Sequence, residues 1–228
     1  AYIRGEAFRV LLEIAQHGRT TPVQLSRLQA MVQKQLESWP ADADAWIGER
    51  AAGMHAYEMV RNGQFLFLLS PKEIKEFDEV TNFRKLISAT IRNADRDELY
   101  YLETIRKIID ACRKPFYQRA ETLESIAREL QQKQDSGDFP TVAARVLLRG
   151  ITKAQEIQTQ DRANWEAWAL ALAMTTGSEI PRYKINPLTG EEYRRARLAE
   201  SIVVERFGTG KDGDFPQIVV PILGVRRL

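Results

Sequence analysis

Residues 165–174 read Trp165-Glu166-Ala167-Trp168-Ala169-Leu170-Ala171-Leu172-Ala173-Met174. A helix drawn through them is apolar on nearly every side, which places it inside the molecule rather than on its surface. The turn cluster Thr175-Thr176-Gly177-Ser178 ends it. Beyond Gly177 the helical period gives way to short β-rich runs at 193–198, 202–207 and 217–222, separated by turn residues. These runs predict a two- or three-stranded antiparallel meander. A sheet so small is not stable alone. Its alternating apolar side chains (Ile202, Val204 and either Ile218 or Val219) are therefore expected to cover the C-terminal end of the long helix, with Trp165, Trp168 and Leu172 buried.

Toward the N-terminus helix signals dominate. Ile3, Ala7, Val10, Leu11 and Ile14 share one helical face, and Gly18 follows as a stop. Thr21-Pro22-Val23-Gln24 combines a capping threonine, a proline suited to the first helical position and a glutamine able to reach back. Leu25, Leu28, Val32 and Leu36 continue as a stripe until Trp39-Pro40. A helix over 42–62 stops at Gly63, and Ser70-Pro71-Lys72-Glu73 repeats the capping logic. Residues 83–91 read as helix. Asp95-Arg96-Asp97-Glu98 caps a further helix carrying Leu99, Leu102, Ile105 and Ile109. The 115–134 stretch places Tyr117, Ala120, Leu123, Ile126 and Leu130 inward. From Thr141 to Met174 little but Gly150 interrupts, at about 1 kcal/mol relative to alanine, so one long helix or two stacked ones are expected. The predicted fold class is mainly α: a multi-helix bundle over 1–176 with a small C-terminal antiparallel β-meander over 177–228, packed on the last long helix as one structural unit.

Composition narrows the function classes. The chain has 228 residues, 44% hydrophobic and 28% charged, which is globular rather than disordered material. Lys and Arg total 33 against 31 Asp and Glu, a balance that gives no global reason to expect nucleic acid. Cys112 is the one cysteine, which excludes an intrachain disulfide and a multi-cysteine zinc site. The longest apolar run, 65–69, is far too short to cross a bilayer. The sequence starts Ala1-Tyr2-Ile3, without methionine. That predicts an upstream segment, either a signal peptide or an anchor, with a tag remnant as the alternative.

Four stretches of the tail carry a family resemblance: Asn186-Pro187-Leu188-Thr189-Gly190-Glu191-Glu192-Tyr193, Val203-Val204-Glu205-Arg206-Phe207-Gly208, Lys211-Asp212-Gly213-Asp214, and Ile218-Val219-Val220. In this order they resemble the C-terminal part of the major pseudopilins of type II secretion. There a helix is followed by a proline-containing loop, a hairpin and a Gly/Asp-rich loop before the last strand. Asn186 stands where those proteins usually carry an acid, and the long helical body has no counterpart in them. His17-Gly18 with Gln24-Leu25 and Leu28-Gln29, then Gly48-Glu49-Arg50-Ala51 with Met54-His55, resemble a family of uncharacterised bacterial proteins with an N-terminal membrane anchor, a helical body and this tail. The resemblance implies location and architecture, and no activity.

Each candidate site has a structural reading beside its chemical one. Glu49 and Arg50, near His55 and Tyr57, would make an acid, a cation and an imidazole in a pocket. Adjacent helical residues do not face each other, so helix-to-helix stitching is preferred, and Gly53, on the Glu49 face, would permit close helix approach. His17, beside Gly18, suits a helix C-terminus. No HExxH-type spacing exists. Asp212 and Asp214 offer oxygen ligands to calcium, as the matching loop does in some pseudopilins, but lack EF-hand spacing, and a tight turn needs the same residues. Gly208-Thr209-Gly210-Lys211 is not a phosphate loop. Arg194, Arg195 and Arg197 form a basic stretch in which Arg195 and Arg197 share a strand face, and Arg226-Arg227 lie near the end. That face is read as solvated, with a docking patch for an acidic partner as the rival. Trp165 and Trp168 are core rather than a stacking platform.

The resulting expectation is a non-enzymatic extracytoplasmic domain of a membrane-anchored bacterial envelope protein. It would sit on the periplasmic side, held to the inner membrane by an N-terminal segment outside these residues, and act in assembly or interaction with envelope or secretion-type proteins. No cofactor is expected beyond an optional calcium. The alternative is a hydrolase of an envelope polymer, acting through a carboxylate pair in a groove between helices, with carboxylates such as Glu49 or Asp97 as candidates.

Overall fold

The computed structural model describes residues 6–7, 10–11, 13–14, 20–80, 83–136, 140–179, 181, 183–205 and 217–221. The described residues from 6 to 14 are helical. Then come α1 (Pro22–Glu37), α2 (Asp42–Arg61), a 3-10 turn (Phe65–Leu68), α3 (Pro71–Val80), α4 (Phe83–Arg92), α5 (Ala94–Ala111), α6 (Phe116–Asp135), a π-helical turn (Ala143–Leu147) and α7 (Ile151–Thr176). Strands β1 (Arg195–Arg197), β2 (Ser201–Glu205) and β3 (Gln217–Pro221) complete the described elements. The protein is mainly helical, with a small antiparallel sheet near its C-terminus.

The helix starts follow from side-chain capping. Thr21 Oγ1 accepts from the Gln24 amide at 3.3 Å, and Gln24 Oε1 accepts from the Thr21 amide at 2.8 Å. Ser70 and Glu73 repeat the exchange at the head of α3, at 3.3 and 2.8 Å. Each pair satisfies amides that the first helical turn leaves without partners. The end of α2 is equally local, because Gly63 takes a φ of +72° that glycine adopts without strain.

The chain folds into two compact units, residues 1–39, 115–118 and 154–228 in one, and 40–114 and 119–153 in the other. The core of the first unit joins Leu25, Leu28, Val32 and Leu36 of α1 to the 165–172 stretch of α7 and to the sheet. Trp165, Trp168 and Leu172 are buried, as the apolar run predicts. The sheet order is β1-β2-β3, antiparallel throughout. Ile202 pairs with Val220 and Val204 with Ile218, so these four side chains share one face. All four are fully buried against the helix core. The inward positions of β3 are thus Ile218 and Val220. Burying each is worth about 1.5–3 kcal/mol, which holds in place a sheet too small to stand alone.

In the second unit α2 packs along α5. The inward face of α5 is Ala94, Asp97, Tyr101, Thr104, Ile105 and Ile108. This corrects the expected stripe: Leu99 is 58% exposed. The face is turned because Gly53 leaves room for a tyrosine ring, and Tyr101 takes it. On α6 the buried positions of this unit are Arg119, Leu123, Ile126 and Leu130; Phe116 and Tyr117 belong to the first unit, where Phe116 is buried and Tyr117, expected inward, is 39% exposed with its ring beside Gly190. Arg119 is buried with both terminal guanidinium nitrogens bonded: Nη2 pairs with Asp42 at 2.7 Å, and Nη1 donates to the carbonyls of Lys114 and Cys112. Of the two forms expected over 141–174, one long helix is excluded: the stretch is a short π-helical turn followed by a separate long helix. Gly150 sits at φ +72°, which separates the π-helical turn from α7.

Candidate functional site

The most concentrated polar arrangement among the described residues centres on Asp97, in the first turn of α5 and only 1% exposed. Its Oδ1 accepts from the Tyr57 hydroxyl at 2.6 Å and from the Ala143 amide at 2.9 Å. Its Oδ2 accepts from the amides of Thr141 and Val142. A carboxylate can accept at about four lone-pair sites, so its capacity is used. Three of the four donors are consecutive main-chain amides at the start of the π-helical turn, which lack partners of their own. The arrangement fixes that turn onto α5. Burial first, and then the neighbouring carboxylate, pushes the Tyr57 hydroxyl well above the usual tyrosine range.

One helical turn further along α5, the Tyr101 ring lies tilted against Tyr57 at 5.7 Å between centroids, and its hydroxyl donates to the Glu49 carbonyl at 2.7 Å. Glu49 therefore enters this cluster through its main chain, while its side chain and that of Arg50 are on the exposed side of α2. His55 is exposed too and meets Glu58 one turn along, at 3.3 Å. The structure brings Glu49 and Tyr57 to the same α5 tyrosine, but it does not gather Glu49, Arg50 and His55 into a pocket. Arg61 bridges to Asp95 and Glu98 at the head of α5.

The first unit holds a second buried carboxylate. Glu166 is 3% exposed, and it accepts from Arg162 Nε at 2.9 Å and from the Tyr193 hydroxyl at 3.1 Å. Burial and then this carboxylate raise the Tyr193 hydroxyl strongly. Trp165 and Trp168 flank it as an edge-to-face pair at 6.0 Å, both in the core. Gln29 closes a third contact: its amide donates to Ser178 Oγ at 2.6 Å and its carbonyl accepts from Thr176 Oγ1 at 2.8 Å, which ties α1 to the end of α7. The Asn186–Gly190 segment is a turn in which Asn186 Oδ1 accepts from the Leu188 amide at 2.9 Å and Gly190 adopts φ +77°.

Asp212 and Asp214, the calcium candidates, lie outside the described residues, as do His17, Gly208-Thr209-Gly210-Lys211 and Arg226-Arg227. Among the described residues no group of three or more His, Cys, Asp or Glu could hold a metal, and no helix is long and apolar enough to cross a membrane. The sequence reading missed Arg119, Glu166 and the partners of Asp97. Glu166 carried a signal, as the lone charge inside an apolar helical run. Arg119 carried a weaker one, three residues from Phe116 on the face that also holds Leu123. No family model, curated protein or solved structure matches this chain.

Proposed function

We propose that the chain is a non-enzymatic domain of a bacterial envelope protein, held at the membrane on the extracytoplasmic side, with a role in assembly or interaction. The observation that carries the reading is the tail. The segment resembling the pseudopilin C-terminus forms an antiparallel meander whose apolar face is sealed on a buried helix. Its Asn186–Gly190 part forms a turn with its own side-chain bond. The deepest carboxylates support the same reading, because Asp97 and Glu166 each hold structural partners.

The test uses the whole encoded protein, carried on its own gene. Alkaline phosphatase fused after residue 228 should be active and a fluorescent-protein fusion dark, and the opposite pattern overturns the location. The 228-residue chain incubated with purified cell-wall sacculi should release no soluble fragments. Release that disappears on Glu49→Gln overturns the non-enzymatic reading in favour of the hydrolase.

A further inference from the structure

We propose that β1 is a docking edge for an extended acidic segment of another protein, which adds to the sheet as a fourth strand. The inference names the chemistry of a partner for the interaction role above, and rests on that role but not on the envelope location. Among the described residues β1 is a terminal strand, paired only with β2. The Leu198 amide donates to the Ser201 carbonyl at 2.8 Å, which makes that pair hydrogen-bonded. Bonded and non-bonded pairs alternate along an antiparallel ladder. Ala196 therefore bonds inward to β2, while the amides and carbonyls of Arg195 and Arg197 point away from β2, the side on which the Tyr193 amide, just before the strand, donates to the Lys184 carbonyl at 3.1 Å. All three side chains of the strand are exposed, and so are their neighbours through Glu200.

The charge pattern selects the occupant. Arg195 lies opposite Val204 and Arg197 opposite Ile202, so both arginines stand on the helix side of the sheet, beside the sealed core. They remain exposed, so β1 overhangs that core at its rim. Short edge strands with charged side chains resist unwanted pairing. A second copy pairing antiparallel on β1 would set Arg195 against Arg197 in both directions, and like charges directly opposite are destabilising. A strand with acidic residues at alternate positions reverses the sign. Both acids then fall opposite the arginines, and the residue between them faces Ala196. A one-residue slip moves the acids to the other face.

The test uses the 228-residue chain and a fluorescein-labelled five-residue peptide alternating valine and glutamate. Anisotropy should show weak saturable binding. A peptide of the same composition with its glutamates adjacent should bind less tightly, because it can present only one acid to the arginine face. Arg195→Glu/Arg197→Glu should weaken the alternating peptide about ten-fold, consistent with two cross-strand charge pairs, and should gain binding of the lysine counterpart. Both positions are exposed, and circular dichroism of the variant checks that the fold is kept. Hydrogen exchange should slow at the Arg195 and Arg197 amides on binding and stay unchanged at Ala196. Equal binding of a proline-interrupted acidic peptide, or no change in exchange, overturns the strand-addition proposal. So does binding to phosphatidylglycerol vesicles in place of the peptide, which would make the edge a lipid contact. The assay is done in solution, so its failure leaves the location test standing, and a failed fusion test leaves the peptide contact standing.

Discussion

Two glycines on α2 should respond to alanine in opposite directions. A Cβ built at Gly53 lies 2.5 Å from Tyr101 Cε1 and nearer still to its Cζ and hydroxyl oxygen. Ordinary carbon contacts are about 3.5–4.0 Å, so the ring must move by roughly an ångström. It cannot do so freely, because Tyr101 is 1% exposed and hydrogen-bonded to the Glu49 carbonyl. Overpacking of this kind costs about 1–3 kcal/mol, and the lost hydrogen bond adds about 0.5–1.5 kcal/mol. Alanine's better helix propensity returns about 0.8–1 kcal/mol. Gly53→Ala should therefore destabilise by about 2 kcal/mol. A Cβ at Gly48, on the exposed side of the same helix, meets nothing within 4 Å, so Gly48→Ala should stabilise by about 0.8–1 kcal/mol. Urea titration followed at 222 nm reads both. In a Tyr101→Phe background the Gly53→Ala penalty should shrink, because the nearest atom is gone. Shifts of the same sign at the two glycines, or a neutral Gly53→Ala, would refute the close-approach argument.

Asp97→Asn turns one acceptor into a donor facing amide hydrogens, and should cost about 2–4 kcal/mol. The specific readout is faster hydrogen exchange at Thr141, Val142 and Ala143, and unchanged exchange there would show that the carboxylate does not hold the turn. Tyr57 and Tyr193 have folded pKa values raised by burial and then by Asp97 and Glu166. The stability they contribute is complete below about pH 10, where free tyrosine ionises, and is lost as pH rises above it. Each adds a slope of about 1.4 kcal/mol per pH unit in that window. Tyr57→Phe should remove one such increment, measured from urea midpoints between about pH 8 and 11; an unaltered alkaline slope contradicts the assignment. Gln29→Ala should cost about 1–2 kcal/mol by removing both bonds to Thr176 and Ser178, and a melting temperature equal to the parent's would count against that tie. Gly190→Ala combines a left-handed φ with a Cβ 2.6 Å from the Tyr117 ring; it should lower thermal stability, and a neutral result would mean the turn repacks.

Local chemistry was the legible part of the sequence. The Thr21/Gln24 and Ser70/Glu73 caps need only neighbours three residues away, so their spacing reveals them. The 165–174 run announces its burial because no exposed helix presents apolar groups all round. What stayed hidden depends on partners distant in sequence. Asp97 reads as one acid in a helix cap, and only the fold brings Tyr57 and the 141–143 amides to it. The α5 face is not legible at Leu99, because the choice between faces is made by Gly53 on another helix. Gly150 reads in the sequence as a tolerated helical glycine, since its positive φ leaves no trace in composition. The arginines of β1 were visible as a basic stretch, but their place on an edge required the strand order.

The core joining α1, α7 and the sheet has a consequence for how the polypeptide matures. Leu36 and Ile218 line the same apolar interior, yet roughly 180 residues separate them, about 10–40 s of synthesis at 5–20 residues per second. Throughout that interval α1 carries a greasy stripe with no home, and the Trp165–Leu172 surface waits for strands still to be made. Closure of this interior waits until β3 has been made. A nascent form stopped before β3 should be sticky, and a holdase acting on newly made chains would find its target in these surfaces.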